Sequence, residues 1–353
     1  MNRKHSENKP AGPFSCTYSP CLPELLIKLN CSLAISTYQA GKVIFLSAQD
    51  KDKLIQLPRN FDTAMAIGIC GNRLAIAARN GVIVLAHEPG LAPAHPKQPY
   101  TYDSLYVPRA TYYTGAVDIH GLEWGKEGLW AVNTSFSCLC LLDDNYSFIP
   151  KWQPPFITGL ASEDRCHLNG MAIGDGFPLY ATTMGQGNTQ QSWRQTLPNG
   201  GTLIHIPSNE IVFEGLPMPH SPRLFANKLF MLFSATGEIV WVDPEKRHYD
   251  VVNKIDGFVR GMASYGDHLF VAHSRLRKNS STFKNLPIAE KAVSSGVAIF
   301  HLPTGNRVAE IKYQNTVDEI FAVEVIPGLK RPGIGSADQD VHRLSLVVRG
   351  ESF

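Results

Sequence analysis

The chain has 353 residues, 44% of them hydrophobic, with 33 Lys and Arg against 31 Asp and Glu and a formal charge of +2. That length suits one large or two ordinary domains, and the near-neutral balance argues against a general electrostatic grip on nucleic acid or an anionic membrane. No apolar run approaches the roughly 20 residues of a membrane span, and the polar, proline-containing stretch Met1 to Pro20 lacks the apolar core of a secretory signal. Seven cysteines in no regular framework read as reduced thiols in a cytoplasmic protein.

Residues 1–22 read as a flexible arm. From Pro23 onward short β-prone runs alternate with turn residues: Leu33 to Tyr38, Lys42 to Leu46, Lys53 to Leu57, then Ala64 to Ile69 and Arg73 to Ala77 across a hairpin-like Cys70-Gly71-Asn72. Residues 88–110, with prolines, tyrosines and no period, read as an insertion or long loop. Further runs follow from Asp118, from His167, from His220 and from Arg260, and a last run, Ile320 to Ile326, has no later partners. Cys138-Leu139-Cys140 has one intervening residue and no second pair, so it reads as two same-face strand residues rather than zinc ligands.

A polar cluster followed by a small or tight residue and a strand-like run recurs at Ala64, Gly121, Gly170, Pro222, Gly261 and Ala322. Four short antiparallel strands per unit, at a period of roughly 40–50 residues, mark the blade of a β-propeller. The C-terminal run lacks outer strands and the N-terminal region has three strands without an inner one. Pairing them closes a ring and removes the edges a linear array would expose. The expected fold is all-β: a six-bladed propeller over residues 23–328 with a tail at 329–353. Seven blades are the alternative if residues 88–116 hide one.

The first strand of a propeller blade lines the central channel. Aligned on the small residues, one position back gives Thr63, His120, Asn169, Ser221, Arg260 and Phe321; three back gives Phe61, Asp118, His167, Pro219, Phe258 and Glu319. These positions share a face of the strand. His220 falls between the two sets, with Pro219 and Pro222 placed to turn it inward. His120, His167 and His220 on successive blades, with carboxylates near, suit a divalent zinc, iron, copper or manganese ion. Structural histidines that tie blades together by hydrogen bonds are the plain alternative. Arg260 needs a carboxylate, Glu319 or Asp164, or an anionic substrate group. Cys166 reads as a small core residue before it reads as a nucleophile, and Trp193-Arg194 as a lid over the mouth.

Asp118 to Leu122, Val132 to Leu139, Glu163 to Gly170 and Met218 to Arg223 resemble a bacterial family of conserved hypothetical proteins with propeller-like repeats, some of whose members are fused to tetratricopeptide repeats. The resemblance spans about Pro23 to Gly328 and implies no settled activity. Its motif residues coincide with the polar ring, which implies a site rather than a plain scaffold. Met184 to Thr189 departs from a more acidic family pattern.

The expected function is that of a metal-dependent enzyme of lyase or hydrolase type, acting on a small molecule or modified peptide, with oxygen chemistry open if the metal is iron or copper. His120, His167 and His220 hold the metal, Glu319 or Asp118 is a further ligand or general base, and Arg260 holds the substrate. The competing expectation is a non-catalytic propeller that binds a protein or peptide. No nucleic-acid or membrane partner is expected.

Overall fold

The computed structural model describes residues 12–276, 282–336, 338, 339 and 341–348, and the backbone of 351 and 352. The first eleven residues of the expected arm, residues 277–281 and parts of the tail lie outside these. Among the described residues, no helix is long and apolar enough to cross a membrane.

Among the described residues the strands form six radial sheets and a small terminal hairpin. Blade I pairs Val323–Pro327 at the centre with Cys31–Thr37, Lys42–Ala48 and Leu54–Asn60. Blade II runs outward through Ile67–Cys70, Arg73–Ala78, Gly81–Glu88 and Ser104–Tyr112. Blade III starts at Ile119–Gly125, blade IV at Leu168–Gly174, blade V at Pro219–Phe225 and blade VI at Phe258–Tyr265, each followed by three more antiparallel strands. The inner strands touch in sequence around the whole circle, including blade VI against blade I. The six-bladed ring and its closure by the C-terminal strand are as the sequence leads one to expect, and the described residues form no seventh blade.

The second strand of most blades is buried on both faces, because neighbouring blades cover it. Leu74 to Ala77, Leu129 to Val132, Leu229 to Phe233 and Leu269 to Ala272 are accordingly continuous apolar runs with no alternation. The outermost strand His248–Lys254 is almost wholly exposed and polar. Hairpin turns need left-handed backbone, and Gly71 supplies it between Cys70 and Arg73 with φ +58°.

Three segments differ from the sequence reading. Leu22–Leu29 is a helix, not the start of the strands. Pro23 stands in its first turn, left-handed Asn30 (φ 51°) caps its end, and Leu22 and Leu26 are buried between blades VI and I. Cys16–Tyr18 adds a fifth strand to blade VI by pairing with Ile311 to Tyr313. Residues 88–110 are not a loop throughout: Ser104–Tyr112 is the fourth strand of blade II, and Pro108 hides that role because it sits where the register shifts. Pro332–Ile334 then adds to its outer edge in parallel.

Candidate functional site at the upper channel mouth

The inner strands all begin at one face of the ring, called the upper face here. A repeated hydrogen bond fixes their relative heights. Hydroxyls of Ser36, Thr134, Ser234 and Ser274 on second strands donate to the carbonyls of Met65, Leu168, Val259 and Ile320 on the next blade, and Asn169 Nδ2 donates to Pro219. The residue two places on is therefore Ile67, Gly121, Gly170, Ser221, Gly261 and Ala322, small in every blade but II. Sequence spacing misplaced two of these, at Ala64 and Pro222. The cause in blade V is a bulge between His220 and Arg223, where Ser221 turns left-handed at φ 47°. Small residues are required because the strands converge: a Cβ on Gly170 would stand 2.5 Å from Pro222 Cδ, and one on Gly261 2.8 Å from Ala322 Cα.

With that register, one level of the channel is lined by Ala66, His120, Asn169, His220, Arg260 and Phe321, and all six border one narrow cavity. Two residues earlier stand Asp118, His167, Met218, Phe258 and Glu319, forming the rim above. His220 thus lies level with His120 and Arg260, and Ser221 and Thr63 do not belong to that level. Asp118, His167 and Met218 all have left-handed backbone, φ 56°, 50° and 58°, so the chain makes the same kink before three consecutive inner strands.

These kinks set the histidines. The Asp118 carbonyl faces His120 Nδ1 at 3.0 Å and the Met218 carbonyl faces His220 Nδ1 at 3.2 Å. Thr134 Oγ1 is 2.8 Å from His120 Nδ1 and Ser234 Oγ is 2.7 Å from His220 Nδ1. Each hydroxyl has given its one hydrogen to a carbonyl of the next blade, so it accepts from the imidazole. Nδ1 of both rings therefore carries the proton. His167 reaches the same state by another route, with Nδ1 3.1 Å from both oxygens of the Asp164 carboxylate. Among the described residues, Nε2 of the three rings has no protein partner. Burial holds the His167 and His220 imidazoles well below the usual histidine range, and the nearby Arg260 guanidinium adds to the effect. Both are neutral at pH 7 and present lone pairs.

Trp193 closes one side of the rim. Its ring lies 4.4 Å from that of His167, and its Nε1–H donates to Asp164 at 2.9 Å. Burial pushes the Asp164 carboxyl up to about 6, against the lowering effect of the indole hydrogen bond. Residues 184–200 of blade IV and 282–294 of blade VI meet over blade V, where Met184, Trp193, Met218, Phe258, Leu286 and Ile288 share an apolar cluster. Arg194 stacks on Trp193 at 4.3 Å and donates to Thr282 at 2.9 Å. The expected Trp193-Arg194 lid is thus a packed cover over three blades.

Arg260 is ion-paired through Nη1 with Glu319, the first of the partners expected from the sequence. Its guanidinium carbon lies 5.0 Å from the Phe258 ring and 5.4 Å from Phe321. Its Nε is buried without a partner among the described residues. His120 packs ring against ring on His167 at 4.8 Å and on Phe321 at 5.2 Å. His220 packs instead on Phe258 at 6.1 Å. Among the described residues, no three His, Cys, Asp or Glu side chains stand as a group that would hold a metal ion. Cys166 is fully buried, which pushes its thiol up to about 12 and leaves it unreactive at neutral pH. Cys138 and Cys140 are both buried in one apolar cluster, on one face of their strand.

Thr134, Ser234 and Asp164 are the site residues that sequence reasoning missed or gave another role. The signal was available: a hydroxyl follows each of His120 and His220 by fourteen residues. Farther down the channel, Arg223 of blade V reaches Glu123 of blade III at 3.4 Å and Glu324 of blade I at 3.7 Å, and donates to the Met171 carbonyl at 3.0 Å. Burial pushes Glu324 up to about 7 and raises Glu123 as well, each opposed by Arg223.

Among solved structures the chain is similar to one in a crystal structure of a nidogen/laminin complex, at 10% identity and a TM-score of 0.55, over 84% of this chain and 99% of that one. At that identity the likeness speaks for the propeller fold alone. No curated protein matches the sequence. A family model described as a domain of unknown function, DUF4915, matches residues 20–334. That span takes in all six blades, and the chain belongs to the DUF4915 family.

Proposed function

We propose that the protein is an enzyme of lyase or hydrolase type acting on a small molecule at the upper channel mouth. One observation supports this above the others: three imidazoles from consecutive blades each have Nδ1–H committed and Nε2 without a protein partner. Histidines that merely tie blades together would have both nitrogens engaged or packed away. In this reading His167, oriented by Asp164 and shielded by Trp193, moves a proton at Nε2. Arg260, held by Glu319 and two aromatic rings, orients the substrate, and Asp118 stands at the open side of the rim beside His120.

The same hydrogen bonds favour a second reading, the metal-dependent one. Metal-ligating imidazoles characteristically donate their other N–H to a carboxylate, carbonyl or hydroxyl, as His120, His167 and His220 do. As they stand these three rings do not form a metal-holding group; drawn together, they would be the ligands of a divalent zinc, iron, copper or manganese ion, which would supply Lewis-acid chemistry. The acid–base reading uses the side chains as they stand and is placed first.

Elemental analysis of tag-free protein, with His120→Ala and His167→Ala beside it, is combined with a small-molecule activity screen. Activity that survives chelation and disappears in His167→Gln supports the acid–base enzyme. Near-stoichiometric metal that is lost in both alanine variants moves the assignment to the metalloenzyme. Folded protein with neither metal nor activity sinks both and leaves a propeller that binds a protein or peptide.

A further inference from the structure

We propose that the upper mouth takes a zwitterionic ligand of free amino-acid type, with a primary ammonium and a carboxylate on neighbouring carbons. The inference rests on the reading of this mouth as the ligand site and names its chemical class.

The charges come first. Asp118, Asp164 and Glu319 face two cations among the described residues, Arg260, which is already bound to Glu319, and Arg194, which is stacked on Trp193 beside Asp164. The mouth therefore has carboxylate in excess, and a simple anion would meet repulsion there at short range. An ammonium would not. The uncommitted hydrogen-bonding groups agree with this. Nε2 of His120 and of His220 are lone-pair acceptors bordering one cavity, and they call for N–H donors.

A simple amine leaves one group unanswered. Arg260 Nε–H is buried without a partner among the described residues, and it borders the same cavity. Phe258 and Phe321 flank the guanidinium and Glu319 anchors its far end, so the side chain has no easy way to turn and find another acceptor. A buried donor left unmatched is costly, and a single ligand carboxylate oxygen, no larger than the water this space would hold, answers it with a charge-assisted bond. Two acceptors, one cationic donor and a surplus of carboxylate together describe the complement of an ammonium beside a carboxylate.

Size sets where that head group sits. The cavity below the histidine level has a free volume of about 20 Å³, enough for one water and little else. One carboxylate oxygen fills that one-water space beside Arg260, and the rest of the ligand is held at the rim beside Trp193, with its side chain directed away from the channel.

The test is calorimetric titration of the intact protein with the twenty common amino acids. Each binder is compared with the amine lacking its carboxylate and the acid lacking its amino group. The expected result is saturable binding of a subset of amino acids, with both partial analogues weaker by about tenfold or more, the loss of one charged contact. Arg260→Gln, and Arg260→Gln with Glu319→Gln to keep the pair balanced, should weaken amino-acid binding about tenfold while leaving the amine unchanged. Equal binding of the deaminated acid, binding indifferent to Arg260, or no binding by any of the twenty overturns the proposal. A His167-dependent activity on some other molecule, found beside such a failure, would overturn the ligand class and leave the enzyme reading intact.

Discussion

Asp164 serves two residues with one carboxylate: it lies 3.1 Å from His167 Nδ1 and accepts the Trp193 indole N–H at 2.9 Å. It therefore couples the position of the lid to the orientation of the base. Asp164→Asn keeps an acceptor, whereas Asp164→Ala releases both partners. The alanine variant should show red-shifted, more quenchable emission from Trp193, read against a Trp193→Phe control, and the asparagine variant should not. With its carboxyl near 6, Asp164 is ionised above that pH, so any reaction that uses His167 as a base should rise through pH 6 and lose that limb in Asp164→Asn. An unchanged pH profile would show that the Asp164 charge does not serve the base.

Thr134 and Ser234 fix the proton of His120 and His220 on Nδ1. Nitrogen-15 NMR of labelled protein should show both imidazoles as Nδ1–H tautomers. Thr134→Val and Ser234→Ala should let the Nε2–H form appear, with Thr134→Ser restoring the original signal. Each hydroxyl removed also leaves a carbonyl of the next blade unmatched, at a cost of about 1–3 kcal/mol. Tautomers that ignore these substitutions would show that the kink carbonyls of Asp118 and Met218 suffice.

Glu319→Gln should be more damaging than its size suggests. It leaves the Arg260 guanidinium partly buried without its countercharge, a loss of about 3 kcal/mol or more for a buried pair. Arg260→Gln combined with Glu319→Gln should recover much of that stability in denaturant titrations. If the double variant is as unstable as the sum of the single ones, the two side chains are not coupled.

Glu324 makes a prediction of opposite sign. Its carboxyl rests near 7 in the folded chain against an ordinary 4.5, so the folded state keeps a proton that the unfolded state releases. Stability contributed by this group is present below about pH 4.5 and lost as pH rises toward 7. Glu324→Gln removes the loss and leaves Arg223 balanced by Glu123 alone. The variant should match the parent near pH 4.5 and exceed it at pH 8 by about 3 kcal/mol. A variant less stable at both pH values would show that the bond to Arg223 outweighs the burial of the charge.

The blades were legible because four of the second strands carry an unbroken apolar run and most inner strands carry a small residue just after a polar cluster. Ser104–Tyr112 was not, since Pro108 at a register shift breaks the strand signal. The helix at Leu22–Leu29 was hidden by its length of 8 residues, too short for a period to show. At the site, His120, Arg260 and Glu319 could be placed from spacing, because alternation along a regular strand determines them. The level of His220 depended on a bulge at Ser221, and bulges shift register without leaving a composition signal. The roles of Thr134 and Ser234 arise between blades, from which carbonyl of the next strand lies opposite, and no local pattern encodes that.

The pairing that closes the ring joins Ala34 to Glu324 and Ile35 to Val323, bringing together residues nearly a whole chain apart. Contacts of that separation form slowly, since the loop between them must be closed before they contribute. During synthesis the strands Cys31–Thr37, Lys42–Ala48 and Leu54–Asn60 emerge early and wait for an inner partner made near the end. Glu319 and Phe321 belong to the segment that leads into this last strand. The mouth therefore acquires the anchor of Arg260 and the ring that flanks His120 only when the circle shuts. A nascent or partly opened propeller has blades but no site, and ligand binding reports on closure itself.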